Sequence, residues 1–221
     1  MDRRDFLAGT AAVGLVGLST GALAQAAFTE GRHYVVLAQR APVSAPAGKV
    51  EVVEFFSYAC PHCYAFEPAL DAWARKQPAD VAFRRVPVSF LMNAENFQRL
   101  YFALEALGKV EALQRRVFEA FHVQKNRLSS VDAIADLVAA NGVDRAKFLE
   151  TFNSFGVQTK QRQAKQLQEA YKVDGVPALG VQGRFYTSPS LAGGEGMPVE
   201  ASHQRALALT DQLVARVRSG R

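Results

Sequence analysis

The two cysteines of the chain lie in one tetrapeptide, Cys60-Pro61-His62-Cys63, directly after the apolar run Val50-Glu51-Val52-Val53-Glu54-Phe55-Phe56. A Cys-x-x-Cys pair at the junction of a buried strand and a helix suits thiol–disulfide exchange. The two-residue spacer lets the sulfurs meet within the first helical turn. There Cys60 faces backbone N–H groups that have no intrahelical partner, and the positive end of the helix dipole. Pro61 fits the first helical position, where its missing N–H costs nothing. Two other uses of the pair stay open beside this one. A structural disulfide around so short a loop removes little unfolded-chain entropy. A structural zinc site takes about four ligands, whereas the chain has no second cysteine pair, and His33, His122 and His203 show no ligand spacing.

The elements that must hold this motif follow from the pattern around it. Residues 49–58 read as a buried central strand, because the apolar run is nearly continuous. An earlier short strand falls at His33 to Leu37, before a loop marked by Pro42 and Pro46. Cys63, Phe66, Leu70 and Trp73 recur at helical spacing, giving a helix over 61–76 that Pro78 closes and Pro68 kinks. Residues 81–88 form another strand. From Asn93 to Tyr171 the pattern is helical throughout and proline is absent. Phe97, Leu100, Tyr101, Leu104 and Leu107 make one apolar stripe, and Leu113, Val117, Phe118 and Phe121 a second. Ser129 with Asp132 resembles a capping box, Asn141-Gly142 ends that helix, and Asp144 caps the next. Val176 to Val181, a turn at Gln182-Gly183, and Arg184 to Thr187 form a hairpin. A closing helix spans 198–217. The expected fold is α/β: a thioredoxin-like mixed sheet flanked by helices, in parts 25–92 and 172–221, with an all-helical domain inserted at 93–171.

The N-terminus carries a charged head, a glycine-interrupted apolar body from Ala8 to Leu23, and small residues fit for cleavage after Ala24 or Ala26. That is the pattern of a signal peptide over 1–24. Arg3-Arg4-Asp5-Phe6-Leu7 resembles the twin-arginine export motif with Ala8 in place of the usual lysine, and an ordinary secretory signal is the alternative. Export to the periplasm is expected, where disulfides form and persist. Hydrophobic residues make up 49% and charged residues 21%, and the formal charge is +5. That composition argues against disorder, and the scattered basic residues argue against a nucleic-acid footprint. Two cysteines alone provide no disulfide framework for the fold, so the pair serves something else.

The stretch from Glu54 to Glu67, with Ser57-Tyr58-Ala59-Cys60-Pro61-His62-Cys63-Tyr64 at its centre, and the distant Gly175-Val176-Pro177 resemble the DsbA-type periplasmic thiol:disulfide oxidoreductases. The order of elements, helical insertion included, is similar across nearly the whole chain after the signal segment. The resemblance implies that Cys60 is the exposed nucleophile, Cys63 its buried resolving partner, and His62 a stabiliser of the Cys60 thiolate. It further implies that Pro177 is a cis proline beside the disulfide, with the Val176 backbone free to pair with substrate. Glu54 resembles a buried acid beneath the cysteines, a candidate proton relay. Bottom-up, a carboxylate between Val53 and Phe55 is costly unless paired or protonated, although Glu51 leaves a solvated sheet face open as the other reading. Members of this family are themselves a reference case for an acidic thiol and an oxidising couple, so both properties come here from the resemblance.

The implied activity is donation of the Cys60–Cys63 disulfide to reduced exported polypeptides. No bound cofactor, metal or nucleic acid is expected. A quinone-linked membrane oxidase of the DsbB type is the implied partner for reoxidation, and the chain is expected to act as a monomer. An isomerase or reductase, and a copper-handling thiol protein, are the alternatives. Two departures stand out. Arg84-Arg85 replaces a lysine common in the strand after the active-site helix, which puts charge pairing with Glu54 in doubt. Gly180 replaces a bulky strand residue, marking a bulge or close packing.

Overall fold

The computed structural model describes residues 28–220; the signal-peptide expectation for 1–24 lies outside the described residues. Val35–Val36 (β1) and Val50–Phe56 (β2) lead into helix Pro61–Ala74 (α1) and strand Val81–Pro87 (β3). Five helices follow: Ala94–Ala106 (α2), Val110–His122 (α3), Val131–Ala140 (α4), Arg145–Phe152 (α5) and Phe155–Tyr171 (α6). The chain then returns through Ala178–Val181 (β4), Phe185–Thr187 (β5), Pro189–Gly193 (α7) and Val199–Arg218 (α8). The strands form one sheet in the order β1-β5-β4-β2-β3, parallel between β2 and β3 and antiparallel elsewhere. This is the mixed sheet with a helical insertion that the sequence suggests.

Every residue of β2 is buried, as expected of a strand with paired neighbours and helices on both faces. Its alternation splits the core. Val50 and Val52 pack with Phe66, Leu70 and Trp73 of α1 and with Leu209 and Leu213 of α8. Val53 and Phe55 join the larger cluster containing Phe97, Leu100, Phe118 and Tyr171 from the helical stretch. Burying a side chain of this size contributes about 1.5–3 kcal/mol, so both faces fix β2 firmly. Trp73 Nε1 donates to Asp211 Oδ1 at 2.9 Å and ties α1 to α8.

Several local details refine the sequence reading. β1 is only two residues long, and α1 ends at Ala74 and continues through Pro68. Ser130, one residue after the expected cap, accepts from the Ala133 N–H at 3.1 Å and starts α4. Asp144 caps α5 as expected. At Gly180 the reason for glycine is close packing: a Cβ there would stand 2.4 Å from Tyr171 Cε1. The β4–β5 turn has positive φ at both Gln182 and Gly183, the geometry that suits a two-residue hairpin. No helix among the described residues is long and apolar enough to cross a membrane.

Candidate active site

β2 ends at Phe56, and three residues, Ser57 to Ala59, carry the chain to Cys60 at the N-cap of α1. The turn is held by the Cys60 N–H donating to Ser57 O at 3.1 Å and the Ala59 N–H donating to Ser57 Oγ at 3.2 Å. Pro61 occupies the first turn, where no N–H is required. As N-cap residue, Cys60 places its sulfur where a capping oxygen normally sits, and Sγ accepts from the Cys63 N–H at 3.4 Å. Both cysteines are free thiols. The structure corrects one expectation: Cys60 is not exposed but buried, with 6% of its surface accessible against none for Cys63, and the two sulfurs differ in what each one touches.

This asymmetry separates the two thiols chemically. The Cys60 pKa falls to about 6, chiefly because the Cys63 thiol donates to its sulfur. Burial opposes this, while the N–H groups of Cys63 and His62 and the charge of His62 add to it. The largest contribution is therefore the partner cysteine, with the helix terminus and His62 in support. Cys63 is pushed well above the usual thiol range by burial, then by its bond to Cys60 and by the charges of Cys60 and Glu54.

The Val176–Pro177 peptide bond is cis. The thiol of Cys60 donates to Val176 O at 3.4 Å, so the segment before β4 lies directly against the cysteine pair. His62 is exposed. It lines a groove of about 670 Å³ together with Val176, Pro177, Leu191, Ser202 and His203. Thus Cys60, Cys63, Pro61, His62, Val176 and Pro177, read from two distant parts of the chain, meet at one end of the sheet.

Glu54 lies below them on β2 with no exposed surface. The structure corrects the doubt over its partner: in the β2–β3 register Glu54 stands opposite Arg85, and Arg85 Nε donates to Glu54 Oε2 at 3.0 Å. The same guanidinium donates through Nη2 to Glu67 Oε1 at 2.9 Å. Glu54 Oε1 and Glu67 Oε2 are buried without a hydrogen-bond partner. Burial is the main force raising both carboxyls; Arg85 opposes it, and Glu67 adds to the rise at Glu54. Glu51 is also corrected: at 1% exposed it occupies no solvated face, because Arg84 and Ser44 bond to it from the opposite side of the sheet.

Glu67 is the member of this site to which sequence reasoning gave no role, and Arg85 is the one whose pairing with Glu54 it doubted. Glu67 follows Cys63 by one helical turn and so shares its buried face, a spacing visible in the chain. Arg85 needed the strand register, which local sequence does not reveal.

Comparisons with known proteins agree with this geometry. A family profile described as "DSBA-like thioredoxin domain" matches residues 51–203. The thiol:disulfide interchange protein DsbA of Burkholderia cepacia is 46% identical over 178 residues, covering 79% of this chain and 84% of that one. The crystal structure of Pseudomonas aeruginosa DsbA superposes with a TM-score of 0.80 at 40% identity, covering 87% of this chain and 96% of the other. The oxidoreductase DsbA of Xylella fastidiosa gives a TM-score of 0.75 at 32% identity, covering 85% of this chain and 96% of that one.

Proposed function

The chain belongs to the family of DSBA-like thioredoxin domains, and on that premise we propose that it is a thiol:disulfide interchange oxidase working through the Cys60–Cys63 couple. The observation that carries the assignment is the split between the thiols. Cys60, with its pKa near 6, sits at the helix N-cap and touches Val176, while Cys63 is sealed and strongly basic.

In the working cycle the couple starts as a disulfide. A substrate thiolate attacks Cys60 Sγ, a new S–S bond forms, and the Cys60–Cys63 bond breaks. Cys63 leaves with the electron pair and takes up a proton, for which the Glu54–Glu67 pair beneath it is the nearby store. A second thiolate of the substrate then attacks the substrate's own sulfur in the mixed disulfide, and Cys60 departs as a thiolate. Two electrons have passed to the protein and the substrate has gained a disulfide. A stabilised Cys60 thiolate makes a good leaving group and favours the reduced protein, so the couple is oxidising. His62 contributes charge beside Cys60. Val176 and Pro177 form the docking edge, where the Val176 backbone pairs with an extended substrate segment in β fashion.

The substrates are reduced exported polypeptides, and the place of action is the periplasm after removal of residues 1–24. Of the described residues, 28–92 and 172–220 make up the thioredoxin-like part and 93–171 the inserted helical domain, in a protein acting as a monomer. Reoxidation falls to a quinone-linked membrane oxidase of the DsbB type.

The test is a thiolate-absorbance titration of the reduced protein, combined with equilibration of the couple against glutathione. The expected result is a Cys60 transition near pH 6 and a couple more oxidising than glutathione. An ordinary thiol pKa for Cys60 overturns the oxidase assignment.

A further inference from the structure

His122, the last residue of α3, lies far from the cysteines in sequence and has no part in the cycle above. Two contacts bring it to the reactive turn. Its Nε2 lies 2.8 Å from Tyr58 O, in the loop two residues before Cys60. A carbonyl can only accept, so Nε2 carries the proton. Its ring also stacks on Tyr64, directly after Cys63, with centroids 5.0 Å apart and planes within 10°. One side chain of the helical insertion therefore bridges the two flanks of Cys60-Pro61-His62-Cys63.

The rest of α3 supports the same turn. The Tyr58 hydroxyl donates to Gln114 Oε1 at 2.6 Å, and its ring packs edge-on against Phe118 at 5.1 Å. These contacts fix the Tyr58 side chain. His122 alone among them grips the main chain, and so sets the peptide plane between Tyr58 and Ala59. That plane matters because the turn is short. Rotating the Tyr58 carbonyl swings the Ala59 N–H, which shares its peptide plane, off Ser57 Oγ, and so loosens the turn that leads to the N-cap. Cys60 Sγ is held at 3.4 Å from both the Cys63 N–H and Val176 O. These are ordinary lengths for hydrogen bonds to sulfur, and both depend on where the N-cap stands.

We propose that His122 is a positioning residue for the disulfide-exchange reaction, tying the helical insertion to the reactive turn and holding Cys60 over the first turn of α1. It rests on the exchange function assigned above and extends that function to a residue in another part of the fold. The helical insertion then does more than cover the sheet: it sets the chemistry of the nucleophile.

The experiment compares His122→Phe, His122→Gln and the unaltered protein by thiolate titration of Cys60, by redox equilibration and by thermal melting. Phenylalanine keeps a ring against Tyr64 and removes the donor; glutamine restores a donor without the ring. The expected result is that His122→Phe lowers the Cys60 thiolate fraction at pH 5 roughly threefold, equivalent to a pKa rise of about half a unit, and makes the couple less oxidising. His122→Gln should recover most of the loss. Both effects should appear with the melting temperature nearly unchanged. A lowered melting temperature with the Cys60 titration and the couple unaltered in both variants overturns the proposal and leaves a structural role. Should His122→Phe fail to fold, His122→Met, which likewise lacks a donor, takes its place: a Cys60 pKa raised above that of both the unaltered protein and His122→Gln supports the donor role, and a Cys60 transition equal to the unaltered one overturns it. An ordinary Cys60 pKa in the unaltered protein instead sinks the functional assignment itself, so the two failures are distinct.

Discussion

Glu51 and Glu54 share a strand, both are buried, and each bonds to an arginine of β3, yet they sit in opposite electrostatic states. Burial pushes the Glu51 carboxyl up, but Arg84, with two bonds, and Ser44, with its N–H and hydroxyl, together outweigh it and hold the carboxyl below its ordinary range. At Glu54 burial wins and the carboxyl is raised. Its only bond is to Arg85, which must also serve Glu67, and one oxygen of each acid is left bare. Burial alone thus does not decide what a carboxylate does; the number of donors supplied against it does. One guanidinium for two carboxylates makes a place where a proton is kept, and that place lies under the cysteines. The Glu51 cluster, on the other face, is a fastening between the sheet and the loop containing Ser44.

The largest test of this contrast removes the arginines. Arg85→Met leaves two buried acids without the guanidinium that bonds them and should destabilise the protein by about 3–5 kcal/mol at pH 8. The loss should shrink at pH 5, where both acids take up protons. Arg84→Met should cost less, about 1–3 kcal/mol, because Glu51 keeps both bonds from Ser44 and Arg84 is already one-third exposed. Urea melts of the two variants at both pH values check this. Equal losses with equal pH dependence would show that the two pairs are alike.

The cysteine motif, the strand before it and the cap at Cys60 were legible because each is local: apolar run, turn, proline at the first helical position. The helical stretch was equally legible from its stripes of Phe97, Leu100 and Tyr101, and of Leu113, Val117 and Phe118. What escaped is what depends on register or on long loops closing. Arg85 reads as no more remarkable than Arg84 until β2 and β3 are aligned, since adjacent strand residues point to opposite faces. That alternation sends Arg84 to Glu51 and Arg85 to Glu54. The choice of Ser130 over Ser129 as cap turns on one residue of extended backbone, finer than pattern reading resolves. His122 showed only that it lacks ligand spacing, because its partner is a carbonyl 64 positions away in sequence. Gly180 signalled close approach, but only the fold says that Tyr171 is what approaches.

The next test exchanges the acids for amides. Glu51→Gln should cost about 1.5–3 kcal/mol at pH 7, the scale for hydrogen bonds to charged groups. A carboxyl whose folded pKa is lowered contributes stability above the unfolded pKa and loses it as pH falls through the folded value. The deficit of Glu51→Gln should therefore fade in acid. Glu54→Gln should behave the other way. With its pKa raised on folding, Glu54 binds more protons in the folded than in the unfolded protein between the two values, so its contribution falls as pH rises through that window. A glutamine does not titrate. The variant should be within about 1 kcal/mol of the parent in mild acid and gain on it towards pH 9. A Glu54→Gln variant that loses ground as pH rises would falsify the proton-holding state.

The smallest expected effect is also the most specific, because it reads the contrast at the cysteines themselves. Cys63 is raised first by burial and its bond to Cys60, then by the charges of Cys60 and Glu54. Cys63 ionises only in alkali, where Glu54 has already lost its proton, so the two charges oppose each other there. Glu54→Gln removes that repulsion and should lower the Cys63 pKa by roughly half a unit to one unit, read from the cysteine Cβ chemical shift over an alkaline titration. Cys60 should move less, since its pKa is set first by the Cys63 thiol and then by N–H groups of the helix and the His62 charge, against burial. Glu51→Gln lies on the other face of the sheet and should leave both cysteines where they are. If Glu51→Gln moves Cys63 as far as Glu54→Gln does, the coupling passes through the general stability of β2, and Glu54 has no particular claim on the resolving thiol.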